Sequence, residues 1–295
     1  MDDLIITVAG DSAHSYPANP YFPGEQGDLR LADQYVAAAE AGAAICHVHG
    51  AATFKDDSPK PAPDHAAWVA LTEAIRADAP DVIIQNGIGG MPPAEKRVLY
   101  ERQRPEMMSA IVGPHDTRFR RDPNHDGHVD LYGIATREEL VEVCGDAIAY
   151  GVKLEVECYT TGPYWILRHL MERDLLPGPR WATLAIGFEG ACWTPPTIDA
   201  LAYMVSHLPV DTNWSLSVMD PGTAWTLIPA AIAMGGHIRV GWEDNPFLPD
   251  GEIAQHNAQL VEEVVNIAFR LGRPIASPAT AREIIGLSTP AAVSS

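Results

Sequence analysis

Apolar runs and amphipathic segments alternate along the whole chain. Eight short apolar runs, most of them rich in β-branched residues, are typical of strands buried in a parallel sheet. They are 4–10, 44–50, 82–89, 107–113, 153–159, 181–188, 212–219 and 237–244. Segments with helical spacing follow them, at 29–42, 64–78, 92–103, 137–150, 163–176, 196–207, 224–234 and 253–271. Strict alternation of eight such units predicts a single-domain (β/α)8 TIM barrel over residues 1–295, with a short helical extension over about 273–295.

A long polar stretch, residues 114–136, separates the fourth apolar run from its helix. Loops of this length in a compact domain are typical of lids or binding loops. Arg118, Arg120 and Arg121 lie within it. Three close arginines in so acidic a chain predict either a clamp for the phosphates of an anionic cofactor or a set of ordinary surface ion pairs.

The same stretch contains part of a calcium-loop spacing. Asp122, Asn124 and Asp126 stand at alternate positions, as in the first half of such a loop. Gly133 stands where the closing glutamate belongs, and Pro123 interrupts the spacing. The pattern therefore favours a loop without calcium.

Charge and composition narrow the classes of partner. The formal charge of -19 disfavours nucleic-acid or anionic-membrane binding, which depends on basic patches, but it leaves room for a local basic site. The first apolar run is short and acidic at its start, so it predicts a strand rather than a signal peptide, and no run approaches membrane-spanning length. Four scattered cysteines predict free thiols in a cytoplasmic protein. They are Cys46, Cys144, Cys158 and Cys192.

Candidate metal ligands end two of the predicted strands. Side chains alternate along a strand, so His47 and His49 share one face of the second strand. By the same rule, Arg239 and Glu243 share one face of the eighth. The carboxyl ends of barrel strands carry the active site, and two imidazoles with one carboxylate predict a catalytic metal site with an open position. A histidine on a strand is also common as a hydrogen-bonded core residue, but the position at the barrel end favours the metal.

Further charges accompany these candidate ligands. An inward-facing Arg239 needs a carboxylate or a bound anion as its partner. Asp244 follows Glu243, and the fifth strand offers Glu155 and Glu157 with equal parity. Arg239 therefore either holds a glutamate in place or positions Asp244 as a base, and the two roles are compatible.

The third predicted strand runs into a glycine-rich turn, residues 85–90. Backbone N–H groups exposed by glycines could bind a carboxylate or a phosphate. Glycines are equally what a tight turn between a strand and a helix requires. Both interpretations of this turn remain open from the sequence.

Four motifs together resemble the β-keto acid cleavage enzymes, the family of 3-keto-5-aminohexanoate cleavage enzyme. They are HVH at 47–49, IGG at 88–90, LEVE at 154–157 and AMGGHIRVGWEDN at 233–245. The resemblance runs from the first strand to the last helix. It implies a metal-dependent (β/α)8 barrel, homotetrameric, that converts a β-keto acid and acetyl-CoA into acetoacetate and a new CoA thioester.

The resemblance also implies the metal ligands. The zinc ligands of the family match His47, His49 and Glu243 by position. One divalent cation is therefore expected, with zinc as the first choice, and nickel, iron or manganese also suit these donors. Such a cation would chelate the keto oxygen and the carboxylate of the substrate and acidify the carbon between them.

The catalytic groups implied by the resemblance are three. The base dyad of the family matches Asp244 with Arg239, and its further catalytic glutamate matches Glu157. Asp244, although a weak base beside a cation, is expected to remove the proton from the acidified carbon. The resulting enolate would attack the thioester carbonyl, and CoA thiolate would later cleave the condensed intermediate.

Four more residues are expected to bind substrate, and three of them stand where this chain departs from the family. Gly87 replaces a serine that contacts the substrate carboxylate, and Asn86 precedes it. Asp11 lies near the position of a glutamate that binds the substrate ammonium group in the aminohexanoate enzyme. His115, after the fourth strand, completes the set, and an Arg–Asp pair common after the His-x-His motif is missing. The reaction class is therefore predicted more firmly than the substrate side chain.

Two other functions fit parts of the same pattern. An amidohydrolase-like metallohydrolase also uses His-x-His and a late aspartate, but it needs His-x-His on the first strand and further histidines ending the fifth and sixth. Those strands end in VAGD, ECY and GFEG here. A barrel that binds a keto acid without turnover would fit the glycine at position 87, although binding alone does not require a base dyad.

Overall fold

The computed structural model describes residues 2–12, 16, 18–24, 28–54, 61–120, 128–133 and 135–287. Eight parallel strands within them close into a barrel. They are β1 (Ile6–Ala9), β2 (Ile45–Val48), β5 (Ile83–Asn86), β6 (Met107–Ile111), β9 (Lys153–Cys158), β10 (Arg180–Ile186), β11 (Thr212–Val218) and β12 (His237–Val240). Their order around the barrel is β1–β12–β11–β10–β9–β6–β5–β2, and β2 closes against β1. The predicted TIM barrel is confirmed.

Helices follow each barrel strand in the described ranges, and one more helix ends them. They are α1 (Leu31–Glu40), α2 (His65–Asp78), α3 (Pro93–Arg102), α4 (Arg137–Tyr150), α5 (Tyr164–Glu172), α6 (Ile198–His207), α7 (Ala224–Ala233), α8 (Asn257–Arg270) and α9 (Pro278–Ile285). None of them combines the length and the apolar character needed to cross a membrane. Helix α4 begins with a capping box between Thr136 and Glu139 and ends at Gly151, which is left-handed with φ 68°, so both ends follow sequence signals.

The main hydrophobic core lies between the barrel strands and the helix layer. Cys46 and Val48 of β2 point into it, as strand alternation predicts, and both are fully buried. Trp68 and Leu71 of α2 pack in the same cluster. Each fully buried side chain of this size contributes on the order of 1.5–3 kcal/mol to the free energy of unfolding. Because this outer layer supplies the apolar burial, the barrel interior can carry polar groups.

A second apolar cluster closes the amino-terminal end of the barrel. Ile5, Ile83 and Met107 contribute from the starts of strands, and Ala281 and Ile285 contribute from α9. Beside this cluster, the Arg282 guanidinium of α9 binds the Glu106 carboxylate at 2.6 Å. The predicted C-terminal extension is therefore a floor for the barrel, and residues 288–295 lie outside the described chain.

Two β-hairpins were not predicted. Strand β3 (Ala52–Phe54) pairs antiparallel with β4 (Pro61–Pro63). Strand β7 (His115–Arg120) pairs antiparallel with β8 (His128–Gly133), so the long stretch expected to be a polar loop has regular structure at both of its ends. The candidate calcium-loop residues 122–127 lie outside the described residues, as does Arg121, and the side chains of Arg118 and Arg120 are not described.

Candidate metal centre and active site

His47, His49 and Glu243 meet at the carboxyl-terminal mouth of the barrel. The Nε2 atoms of the two histidines are 3.2 Å apart. Glu243 Oε1 lies 3.0 Å from His49 Nε2 and 3.7 Å from His47 Nε2. All three ligand atoms lie within 4.8 Å of one another, which brings the predicted set together at one point.

Glu243 reaches this point from a turn rather than from a strand. Strand β12 ends at Val240, and the amides of Asp244 and Asn245 both donate to the Gly241 carbonyl. The expected strand over 237–244 is therefore too long. The turn explains why the adjacent side chains of Glu243 and Asp244 can both reach Arg239, since strand alternation would send them to opposite faces.

Gly241 is the residue that permits this turn. Its φ is +150°, and a Cβ there would lie about 2.0 Å from the Ala9 carbonyl oxygen of β1. A side chain would push β12 away from β1 at the start of the turn. Glycine at this position therefore keeps Glu243 over the barrel, where its amide donates to the same Ala9 carbonyl at 3.2 Å.

Arg239 organises the carboxylates around the candidate metal ligands. Its Nε and Nη2 each lie 2.9 Å from an oxygen of Asp244, and Nη2 also donates to Glu243 Oε1 at 2.5 Å. Its Nη1 lies 4.0 Å from Glu157 Oε1. The guanidinium is 4% exposed and the Asp244 side chain 2%, so this is a buried pair with the two-pronged geometry that arginine favours.

Neighbouring charges set the protonation of the candidate ligands. Burial, followed by the Arg239 charge, lowers the pKa of His47 well below its usual range, so its imidazole is neutral at physiological pH. Burial alone would raise the pKa of Glu243, but the charges of His49 and Arg239 outweigh it and hold that pKa well below the usual range. Burial opposes protonation of His49, yet Glu243 raises the pKa of His49 to about 9.

This donor set fits a divalent cation. Two imidazole nitrogens and one carboxylate oxygen converge, and three protein ligands leave a coordination position for water or substrate. Without a cation, the proton of His49 balances the Glu243 carboxylate across the 3.0 Å contact. Binding of a metal requires a neutral imidazole, so the cation would replace that proton.

The two glutamates of β9 are placed differently. Glu155 is 1% exposed, accepts a hydrogen bond from Ser109 Oγ at 2.5 Å and another from the Thr183 hydroxyl. Glu157 lies nearer the mouth and accepts from the Tyr159 hydroxyl at 3.1 Å. Burial, helped by the Glu155 charge, raises the pKa of Glu157 to about 7. Glu157 can therefore hold or release a proton near neutral pH. Glu155 is instead fixed by its hydrogen bonds to Ser109 and Thr183.

Gly87 lies against the candidate metal ligands. A Cβ at this position would be 2.5 Å from the His49 ring and 2.8 Å from His47 Nε2. In this structure, the space that a serine side chain would need is therefore taken by the two imidazoles. The next residue, Ile88, has a φ of +55°, which marks the strained turn at the end of β5.

Two expected substrate-binding side chains are turned elsewhere. Asp11 is fully buried, and its carboxylate accepts the backbone N–H groups of His49 and Gly50 and the Tyr35 hydroxyl. The Asn86 amide donates to Gln103 at the end of α3, in the helix layer. Direct contact of these two side chains with substrate does not fit this placement, because residue parity at a strand end did not reveal which way each one points.

His115 belongs to an aromatic cluster with Tyr159 and Trp193. The ring centroids of His115 and Tyr159 are 5.1 Å apart in a stacked arrangement, and those of Tyr159 and Trp193 are 4.2 Å apart. The Trp193 indole donates to the Asp116 carbonyl of β7 at 2.8 Å. Neither Tyr159 nor Trp193 was predicted as a site residue, although Tyr159 directly follows β9 and Trp193 lies in the loop after β10, where side chains face the active site.

A buried lysine behind the mouth was also missed. Lys96 of α3 is 1% exposed and donates to the Ser109 carbonyl at 2.7 Å. Burial lowers its pKa to about 7, opposed by the Glu157 charge. A lysine at a helical core position would have been the sequence signal, because lysine is almost never fully buried without a partner.

Comparison with known proteins identifies the family. The model of the beta-keto acid cleavage enzyme family matches residues 3–287. This chain belongs to that family. The family predicted from its motifs, and with it the reaction class of β-keto acid cleavage, is confirmed. Membership also removes the amidohydrolase-like alternative.

Relatives of known activity align with this chain over almost their whole length. A 3-keto-5-aminohexanoate cleavage enzyme of Fusobacterium nucleatum subsp. nucleatum is 31% identical over 294 residues, covering 97% of this chain and 99% of that protein. A 3-dehydrocarnitine:acetyl-CoA trimethylamine transferase of Rhizobium meliloti is 27% identical over 306 residues, covering 96% and 95%. The apo structure of ObcA superposes with a TM-score of 0.71 at 16% identity, covering 92% of this chain and 66% of that one, which supports the barrel fold alone.

Proposed function

We propose that this β-keto acid cleavage enzyme is metal-dependent and uses acetyl-CoA, converting a β-keto acid into acetoacetate and a new acyl-CoA. The observation that carries this proposal is the convergence of His47, His49 and Glu243 beside the buried Arg239–Asp244 pair. A metal site and a base within one polar pocket are what removal of a proton next to a ketone requires. The name of the R. meliloti relative includes acetyl-CoA as a reactant of that protein.

The metal would be held by the two imidazoles and the Glu243 carboxylate. Zinc matches this nitrogen and oxygen donor set best, while nickel, iron or manganese are the competing cations. A bound divalent cation would draw electron density from the keto and carboxylate oxygens and acidify the carbon between them. Side chains of the protein would carry out the proton transfers and position the substrate.

Asp244 is the proposed base. Burial raises its pKa, opposed by Arg239, so the carboxylate is a stronger base than an exposed aspartate while it stays ionised beside the guanidinium. An oxygen of Asp244 takes the proton from the acidified carbon. Arg239 keeps the carboxylate in place through its two hydrogen bonds, since a fixed base loses less freedom in the transition state.

The carbon that loses its proton then attacks the carbonyl of acetyl-CoA, and CoA thiolate leaves. In the second half, the thiolate attacks the keto carbonyl that came from the original β-keto acid and the bond from that carbon to the acetoacetate portion breaks, which gives the new acyl-CoA. The released acetoacetate carbanion takes back the proton that Asp244 removed. Glu157 is proposed to exchange protons with the substrate in these steps, because its pKa of about 7 suits both directions.

Gly87 and His115 are the proposed substrate contacts that remain at the mouth. The Gly87 backbone lies against the metal ligands, where the substrate carboxylate would sit. His115 and Tyr159 stack on each other beside Glu157 and would offer ring surface to the substrate side chain. Asp11 would act indirectly, by fixing the backbone of His49.

A turnover assay tests this function. Metal-loaded protein would be mixed with acetyl-CoA and a panel of neutral, cationic and anionic β-keto acids, and acetoacetate would be measured. Acetoacetate that disappears with a chelator and returns with zinc supports the proposal, and the preferred group identifies the pocket charge. Binding of these acids without acetoacetate, with metal present, would instead favour the non-catalytic barrel.

We also propose a cytoplasmic location and a homotetramer. The four cysteines are free thiols, which fits a reducing compartment. Trp165 and Phe269 are 74% and 84% exposed, and large exposed aromatic side chains are common at subunit contacts. Sedimentation equilibrium of the purified protein tests the assembly, and a monomer would contradict it.

A further inference from the structure

The Gln85 amide is an unusual polar group of the barrel wall. It is fully buried, and in the described part of the chain neither Oε1 nor Nε2 makes a hydrogen bond of ordinary geometry. Buried amides in folded proteins almost always have partners, so each exception needs an explanation. Gln85 belongs to β5, where its Cα pairs in register with that of His47 on β2.

Both ring nitrogens of His47, Nδ1 and Nε2, are buried and each needs a partner. Its Nε2 faces the metal site, 3.2 Å from His49 Nε2 and 3.7 Å from Glu243 Oε1. A neutral imidazole carries one proton, so an Nε2 that is free for a metal leaves the proton on Nδ1. That Nδ1–H needs an acceptor inside the wall of the barrel.

The other neighbours of Nδ1 do not supply that acceptor. Arg239 Nη1 is 3.3 Å from Nδ1 and 3.1 Å from Nε2, but a guanidinium only donates. Glu155 Oε2 is 3.9 Å from Nδ1, beyond hydrogen-bond distance, and already accepts from Ser109 Oγ. Gln85, in register with His47 on the neighbouring strand, brings a buried amide oxygen that makes no hydrogen bond of ordinary geometry within the described residues.

We propose that Gln85 is a positioning residue of the metal site, whose Oε1 accepts Nδ1–H of His47 and so keeps the Nε2 lone pair directed at the metal. Ligand histidines nearly always donate their second ring N–H in this way, which fixes both the tautomer and the ring orientation. The inference rests on the proposed metal site.

Zinc affinity and the tautomer of His47 test the role together. Gln85→Leu removes the acceptor at similar volume, and we expect zinc, measured by competition with a chromophoric chelator, to bind about 10–100-fold more weakly. Gln85→Glu keeps an acceptor oxygen and should recover most of the affinity. Nitrogen-15 NMR of metal-free wild-type protein should find the His47 proton on Nδ1, a readout that needs no variant to fold.

Gln103→Leu is the matched control. It also removes a buried amide, but one that bonds to Asn86 and Thr72 in the helix layer. We expect it to lower the free energy of unfolding while leaving zinc affinity unchanged. Equal losses of zinc affinity in both variants would show general destabilisation and overturn the specific role.

Other outcomes separate this inference from the proposed function. Wild-type zinc affinity in folded Gln85→Leu, or a His47 proton on Nε2, overturns the role of Gln85 and leaves the reaction untouched. Failure of wild-type protein to bind zinc overturns the metal site and this role together. Tight zinc binding that weakens in Gln85→Leu, without acetoacetate release from any substrate, supports this inference while rejecting the reaction.

Discussion

Arg239 donates to both carboxylate oxygens of Asp244, through Nε and Nη2, at 2.9 Å each. The same guanidinium binds the neighbouring carboxylate of Glu243. The proposed roles of the two acids differ, since Glu243 would bind the metal and Asp244 would remove the proton. Glu243 faces the histidines, whereas Asp244 is held by the arginine. Substitutions that remove the charge and keep the shape should therefore separate metal binding from proton removal.

Asp244→Asn should keep the metal and lose turnover by about 10²–10⁴-fold, the usual contribution of a positioned general base. Glu243→Gln should lose metal and turnover together, because it removes one of three protein ligands. Metal content after gel filtration and acetoacetate release measure the two effects. Near-normal turnover in Asp244→Asn would show that another group is the base.

Metal binding should release about one proton per site at pH 7. The pKa of His49 is about 9 in the metal-free chain, so its imidazole is protonated at neutral pH and must lose that proton to become a ligand. Apparent zinc affinity should therefore rise about tenfold per pH unit up to pH 9. Calorimetry in buffers of different ionisation enthalpy gives the proton count, and a count of zero at pH 7 would contradict the protonated His49.

Gly87→Ala should weaken metal binding. The new Cβ would lie 2.5 Å from the His49 ring, and displacement of packed groups usually costs about 1–3 kcal/mol, equivalent to about 5–150-fold in affinity. Gly90→Ala is a control in the same turn, since its Cβ would meet Ile111 at an ordinary 3.7 Å. Equal zinc affinity in the two variants would mean that the histidines move aside without cost.

Acid should destabilise the metal-free fold partly through His237. Its buried Nδ1 accepts the Ile5 amide at 3.0 Å, and burial, followed by the Arg273 charge, lowers its pKa to about 3. Between pH 6.5 and 3, the unfolded chain binds this proton and the folded chain does not. The free energy of unfolding should therefore decrease as the pH is lowered through that window, by up to about 1.4 kcal/mol per pH unit.

Urea titrations at several pH values check the His237 contribution. His237→Asn removes the titrating ring, so its free energy of unfolding should be lower at pH 7 and should depend less on pH below 6.5. His207, which is exposed on α6, provides a control variant, His207→Asn. Parallel curves for wild type and His237→Asn would assign the acid sensitivity to other groups.

The barrel and the convergence of His47, His49 and Glu243 were predictable because their signals are local and repeated. Alternating apolar runs and helical segments predict the architecture, and His-x-His at a strand end predicts two ligands on one face. The hairpin of β7 and β8 was missed because its polar sequence was assigned to a loop. Strand alternation also placed Glu243 correctly for the wrong reason, since a turn at Gly241, and not a pleat, directs it inward.

Other features of the site depend on contacts between distant segments. No local pattern distinguishes Asp11, which binds the backbone of His49, from an aspartate that faces a substrate. Asn86 and Gln85 are adjacent polar residues at the end of one strand, yet one reaches α3 and the other pairs in register with His47. Their roles follow from barrel closure, which the sequence of β5 alone does not contain.

The closure of β1 against β12 also fixes when this site can exist during synthesis. His47 and Arg239 are 192 residues apart, and the floor of the barrel is completed by α9 near the end of the described chain. A ribosome-bound chain that has exposed HVH still lacks Glu243, Arg239 and Asp244. The candidate site therefore assembles only after residue 244 has been synthesised, and shorter fragments carry the two histidines without the groups that surround them here.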